Sequence, residues 1–297
     1  MSGSVSYLYG VAETAPALHE AVSGLRGVAG APVRVVADGE VAALVSSVPA
    51  ADFEEGPLAA HLEDLDWLEA VARAHHGVVD AVAARSTVLP LRLATIYRDD
   101  ERVRAMLLAG RAAFRSRLAR LSGHVEWGVK VYAEPSAAAE ARADGTPGDA
   151  GAAAPELTPG RAYLRGRRHE RTARDEAHRA AAEAALRIQE AARAHSVEHV
   201  RHRVQQGPLV RGTGENVSND AFLVPSSGSE AFLAAVREAE AAGGALVRAQ
   251  ITGPWAPYSF AADAVPDAAD AVPDQEAVPA PGQEGAPAPG QEGARPG

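Results

Sequence analysis

Residues 32–48 read PVRVVADGEVAALVSSV, two β-branched runs with Asp38-Gly39 between them. Asp-Gly between apolar runs is a hairpin signal, because a two-residue type I′ turn needs positive φ and glycine supplies it without strain. The segments flanking the hairpin decide the fold class. Upstream, SVSYLYGVA (residues 4–12) alternates around Tyr7 and Tyr9 as a strand does, and residues 16–24 form a short helix candidate with Thr14 as its cap. Downstream of Gly56-Pro57, Leu58, Leu62, Leu65, Leu68 and Val71 recur at three- and four-residue spacing, one apolar helical stripe.

A second strand-like run, STVLPLRLATIY (residues 86–97), carries Pro90. Proline cannot donate to a sheet ladder, so an edge position or a bulge is expected there. Asp99 and Asp100 suit the electropositive start of a helix reaching about Leu121. HVEWGVKVYA (residues 124–133) then alternates cleanly, with Val125, Trp127, Val129 and Val131 on one face and Glu126 on the other. Together these segments predict an α+β domain of ferredoxin-like character over residues 1–133, its helices to one side of an antiparallel sheet.

Residues 134–160 are mostly Ala, Gly, Pro and acids, too poor in apolar mass to offset ordering entropy, and read as a disordered linker or insertion. From Tyr163 to about Gln205 proline is absent, and glycine too after Gly166. A helix of that length would run about 60 Å, which implies a coiled-coil-like arm or a break near His195-Ser196. Two short strands around Gly212-Thr213-Gly214, a helix from Ser229 to Ala242 stopped by Gly243-Gly244, and a last strand ALVRAQITG complete a second α+β domain over residues 161–260. Residues 261–297 repeat PAPGQEG and are acidic, a tail of disordered composition.

The net charge of −10 argues against a general nucleic-acid binder. No apolar run approaches the roughly 18 residues needed to cross a bilayer, and MSGSVSYLYGVAE lacks the marks of a signal peptide. With no cysteine, thiolate chemistry is excluded and a reducing cytoplasm fits.

Candidate chemistry is thin. HSVEHVRH sets His195, His199 and His202 at i, i+4 and i+7, one helical face able in principle to hold a divalent metal, but the spacing alone is permissive, no HExxH is present, and a solvated, weakly basic helix face is the better reading. His75-His76 before Gly77 reads as a helix C-terminus. Ser226, Ser227 and Ser229 cap a helix rather than form a nucleophile elbow, and RGTGEN lacks the Lys-Ser/Thr of a phosphate loop. The arginines of RGRRHERTARDEAHR alternate with acids and suit a salt-bridged helix surface. No nucleophile, base and oxyanion donor come together, and no cofactor or metal is implied.

The segment TGPWAPYSF (residues 252–260) holds Trp255, Tyr258 and Phe260 together with two prolines. It is expected to end the last strand and fold back over the second domain's core, or to meet a partner.

Six blocks in order, YLYGV, HH ahead of VLPLRLATIY, HVEWGVKVY, YLRGRR, NDAFLVP and TGPWAPYSF, resemble the gas vesicle protein F/L family (GvpF/GvpL) from about Ser6 to Phe260. The resemblance implies a non-enzymatic accessory protein of gas vesicle formation, found in the cytoplasm and at the gas vesicle. Its implied partners are the hydrophobic shell protein and other accessory proteins, with neither nucleic acid nor lipid membrane among them. It supplies no catalytic residues. Trp255, Tyr258, Phe260 and the Pro90 strand edge are the candidate partner-binding residues. The competing classes are a ferredoxin-like enzyme or small-ligand sensor and a nucleic-acid-binding regulator using the Arg-rich helix.

Overall fold

The computed structural model describes residues 3–134, 159–204, 215–244 and 247–261. The chain opens with β1 (Ser4–Glu13), α1 (Pro16–Val22) and the hairpin β2 (Arg34–Asp38) and β3 (Val41–Pro49). Two short helices, α2 (Ala50–Phe53) and α3 (Glu55–His61), lead into α4 (Leu65–Ala83) and β4 (Val88–Tyr97). All four strands join one antiparallel sheet in the order β2-β3-β1-β4.

The hairpin forms where Asp-Gly places it. Asp38 pairs with Val41, leaving Gly39 and Glu40 as the two turn residues. Only Gly39 of the two has positive φ, at 63°, so the turn is not the type I′ expected. Thr14 does not cap α1: Ala15 holds the cap position, Pro16 starts the helix, and the Thr14 N–H bonds Glu40 O instead. β4 is an outer strand of the sheet, with Pro90 opposite Gly10 and an irregular Ala94 at φ 60°.

The leucine stripe is overturned. Asp64 accepts from the N–H groups of Asp66 and Trp67 and starts a new helix there, so helical phase is reset within the apparent repeat. Leu65 is consequently 77% exposed and Leu62 40%, while the buried face of α4 is Val71, His75, Val78, Val79 and Val82. His75 therefore sits in mid-helix, not at the C-terminus the sequence suggested.

α5 (Asp100–Leu121) starts as read, its Asp99 cap accepting from Arg102 N. Its position differs from expectation. One face of the sheet (Tyr7, Tyr9, Leu44) packs on α1 and α4 through Leu18, Val71 and Val79. The opposite face (Leu8, Val11, Val45) packs on Val103, Leu107, Phe114 and Leu118 of α5. Helices thus cover both faces, and Val5 to Ala12 of β1 are buried without a break. The expectation of helices to one side fails because a strand apolar on both sides needs two covers.

The strand at residues 124–133 also belongs elsewhere than expected. This strand, β5 (His124–Ala133), bonds to no strand of the first sheet. It lies inside a second antiparallel sheet, β6-β7-β5-β8, with β6 (Glu198–Arg201), β7 (Glu215–Pro225) and β8 (Val247–Trp255). Alternation in a sequence names a strand's faces but not its partners.

α6 (Pro159–Ala194) is a single helix of 36 residues. Arg167, Arg168, Arg171 and Arg174 in its first half are exposed. Its second half packs Ala181, Ala184, Ile188 and Ala192 onto Trp127, Val129 and Val131 of β5, together with Phe232 and Val236 of α7 (Ser229–Ala241). It ends at Ala194, as the expected break near His195 required, but the next element is the strand β6 and not a helix. The three histidines at helical spacing therefore share no helical face. Most of the linker expected over residues 134–160 and of the tail expected over residues 261–297, and the turn at residues 212–214, lie outside the described residues, although Pro159 and Gly160 of that linker already belong to α6.

The described residues cluster as one compact unit. Its second core cluster joins α5 and first-sheet side chains to Ala221 and Leu223 of β7 and to Phe260.

Candidate functional site

The aromatic segment that follows the last strand lies where the two sheets meet. β8 runs on past Gly253-Pro254 to Trp255, which corrects the expectation that this dipeptide ends the strand. The Gly253–Pro254 peptide is cis, and Gly253 has φ 130°. A Cβ there would lie 2.8 Å from Glu126 O and 3.0 Å from the Trp127 ring, so only glycine fits. A short 3-10 turn, Tyr258–Phe260, comes next.

From Ala256 onward the segment is anchored, and not in the second sheet's helix-covered core as expected. Ala256 belongs to the first sheet's cluster and Tyr258 packs against it, its ring 4.8 Å from that of His76. Phe260 and Ala261 enter the cluster beneath α5. The reason is positional: β8 ends beside the start of β5, close to the foot of α4 and the start of β4.

Polar groups fix this end. Glu126 of β5 accepts from Ser259 N at 2.8 Å and from Ser259 Oγ at 2.6 Å. Burial pushes the Glu126 carboxyl up, and those two hydrogen bonds oppose the rise. His202 Nε2 lies 3.0 Å from Ser259 Oγ, and Arg120 of α5 donates to Phe260 O at 2.7 Å. The Ser259 hydroxyl is thus held between an imidazole and a carboxylate, but its proton is already given to the carboxylate. That order fastens the segment in place and does not present a nucleophile.

Beneath Tyr258 lies a buried histidine. Tyr7 Oη lies 3.0 Å from His75 Nδ1 and accepts from Ala94 N–H at 3.1 Å. Burial, with the neighbouring His76, holds the His75 imidazole down to about 4. Tyr7 itself is pushed up by burial.

A second polar cluster, missed by sequence reasoning, centres on Asp220 of β7, 2% exposed. Gln189 Nε2 donates to it at 2.8 Å, and His199 Nε2 lies at the same distance. Arg193 donates to His199 Nδ1 at 2.9 Å, which leaves Nε2 as the donor to Asp220. Two of the suspected metal histidines are thereby assigned to separate hydrogen bonds, His199 to Asp220 and His202 to Ser259. Among the described residues no group of three or more His, Asp or Glu is placed to hold a metal ion, and no helix is long and apolar enough to cross a membrane.

Of the four candidate partner-binding residues, Pro90 is buried on β4, Phe260 is buried and Tyr258 half-buried. Trp255 alone stands out, 47% exposed. It borders a cleft of about 300 Å³ that also touches Asp80, Thr87, His124, Pro254 and Pro257. The structure brings Trp255, Tyr258 and Phe260 together in one segment but does not put Pro90 on a free surface.

Comparison with known proteins gives a consistent family. Residues 5–262 match the family described as "Gas vesicle synthesis protein GvpL/GvpF". Gas vesicle protein L of Streptomyces sp. (strain CB03234) is 43% identical over 89% of this chain and 95% of its own. Gas vesicle protein F of the same strain is 32% identical over 86% and 98%. Among solved structures, the gas vesicle protein GvpF from Anabaena sp. PCC7120 superposes with a TM-score of 0.59 at 19% identity, covering 87% of this chain and 96% of that one. GvpF from Microcystis aeruginosa gives 0.55 at 20% identity, covering 86% and 98%.

Proposed function

Because this chain belongs to the GvpL/GvpF family of gas vesicle synthesis proteins, we propose that it is a non-catalytic accessory factor that holds the hydrophobic shell protein, with other accessory proteins, during vesicle nucleation and growth. It acts in the cytoplasm and at the gas vesicle. The observation that carries this reading is the family match across both sheets and the closing segment, residues 5–262. The higher identity to the L relative, 43% against 32% for F of the same strain, favours the L-like member.

The physical logic supports a holding role. A shell protein whose strand edges and apolar face are unpaired aggregates until it assembles. A partner that offers outer strands and an exposed aromatic residue can cover those surfaces in the meantime. Here the outer strand β8 ends at the exposed Trp255. The division into an N-terminal ferredoxin-like domain and a C-terminal α+β domain remains part of this reading. Its support is the β1-α1-β2-β3-α4-β4 path with strand order β2-β3-β1-β4. The first half of α6, with its exposed arginines, is the segment left for a coiled-coil contact.

Co-purification of the tagged full chain with the host's shell protein tests the proposal. Retention of the shell protein above that of an untagged control is expected. No retention, even with the other accessory proteins co-expressed, contradicts it.

A further inference from the structure

The cleft beside Trp255 has a chemistry of its own. It lies between the foot of α4, the start of β5 and the closing segment, and its volume of about 300 Å³ sits at the small end of ligand pockets, which run from roughly 300 Å³ upward. That is room for one long side chain, not for a folded domain. Most of its lining is apolar, and Asp80 is the one carboxylate among its lining residues.

The Asp80 carboxylate makes no hydrogen bond or ion pair among the described residues, although other acids of the molecule are matched: Asp100 with Arg34, Asp38 with Arg111, Glu126 with Ser259. Burial pushes its carboxyl up, opposed by His76 one turn earlier on α4. A partly desolvated, unpaired carboxylate gains more from an added cation than an exposed one does, because less water screens the pair. Trp255 borders the same space, and an indole face attracts a guanidinium or ammonium through its ring quadrupole.

We propose that this cleft receives an arginine or lysine side chain carried on an extended, otherwise apolar segment of a partner protein. Asp80 pairs with the charge, and Trp255 covers the aliphatic stem. A protein segment is favoured over a free amine by continuity. β8 is an outer strand of its sheet and its last residue is Trp255, so a segment lying along β8 delivers a side chain to the cleft at its end. The identity of that partner as a gas vesicle protein rests on the function proposed above; the cation site does not.

The test monitors the Trp255 indole Nε1–H signal by NMR in the full chain, assigned by its loss in Trp255→Phe. N-acetyl-arginine amide is titrated against the uncharged N-acetyl-citrulline amide. A saturable shift in the millimolar range is expected with the arginine compound, absent with the citrulline compound and weakened at least fivefold in Asp80→Asn. No shift, or equal shifts with both compounds, overturns the cation site. Shell-protein capture is measured in parallel with Asp80→Asn and Asp80→Lys, both checked for unchanged melting temperature. A fivefold or greater fall in capture supports docking through the cleft. Undiminished capture in both variants overturns it, even if the arginine compound binds. Failure of the unaltered chain to capture shell protein counts against the proposed function instead, and the titration still decides the cleft.

Discussion

Trp255 and Phe260 stand five positions apart in one aromatic-rich segment, yet they meet opposite environments. Phe260 is buried among α5 and first-sheet side chains, and its carbonyl accepts from Arg120. Trp255 ends an outer strand and keeps nearly half its surface in solvent, 47%. Their residue types would predict the same fate for both. The difference teaches that the segment has two jobs: residues 256–261 fasten the chain across the two sheets, and Trp255 is left over.

The severest challenge to this division is Phe260→Ala. Truncating a fully packed phenylalanine costs about 3–5 kcal/mol, and here the cavity would open in the cluster that joins both sheets. Chemical denaturation should show a loss of about 3 kcal/mol or more. A loss below about 1 kcal/mol, typical of a surface site, would place Phe260 with Trp255 and erase the distinction.

Acid gives a second handle, because the anchored half rests on His75 and His76. In the unfolded chain the His75 imidazole takes a proton near 6.5, but in the folded chain only at about 4. Between those values the unfolded state binds the extra proton, so stability falls as pH drops from about 6.5 to 4, by about 3 kcal/mol in full. Unfolding free energies at pH 7 and pH 4, compared with those of His75→Gln, isolate this share. An equal pH dependence in the variant would show that His75 is not its source.

Ser259→Ala is expected to cost about 1–2 kcal/mol, since it takes a hydroxyl donor from a buried carboxylate that keeps only the Ser259 N–H and its other neighbours. Equilibrium unfolding of the purified variant reads this directly. A neutral result would mean that the Glu126 latch contributes nothing to holding the segment.

Much of the fold was legible because local chemistry and final structure agree there. Asp38-Gly39 marks the hairpin, Asp99 marks the start of α5, and Gly244 in the left-handed region, φ 68°, stops α7. The errors arose where two readings share one local pattern. Leu62 and Leu65 fit a continuous helix until Asp64 is recognised as a cap that restarts it. The histidines of HSVEHVRH fit a helix by spacing, but Val197 and Val200 among polar residues fit a short strand as well, and the bond from Val197 N to Leu223 O shows which one formed. Sheet membership was not legible at all for β5, because its partners β7 and β8 lie more than 80 residues further along the chain. The aromatic closing segment was visible from its composition. The core it enters, and the exposure of Trp255, depend on where β8 ends, which no local pattern encodes. Asp220 gave no signal either, as its partners Gln189 and His199 come from a helix and a strand that only folding brings together.

The central claim is that Trp255 serves contact while its neighbours serve structure, and the Trp255→Ala full chain tests it most directly. Capture of the shell protein should fall at least fivefold while stability changes by no more than about 0.5 kcal/mol, as for an ordinary surface substitution. Undiminished capture, or a loss of stability rivalling that of Phe260→Ala, would contradict the account.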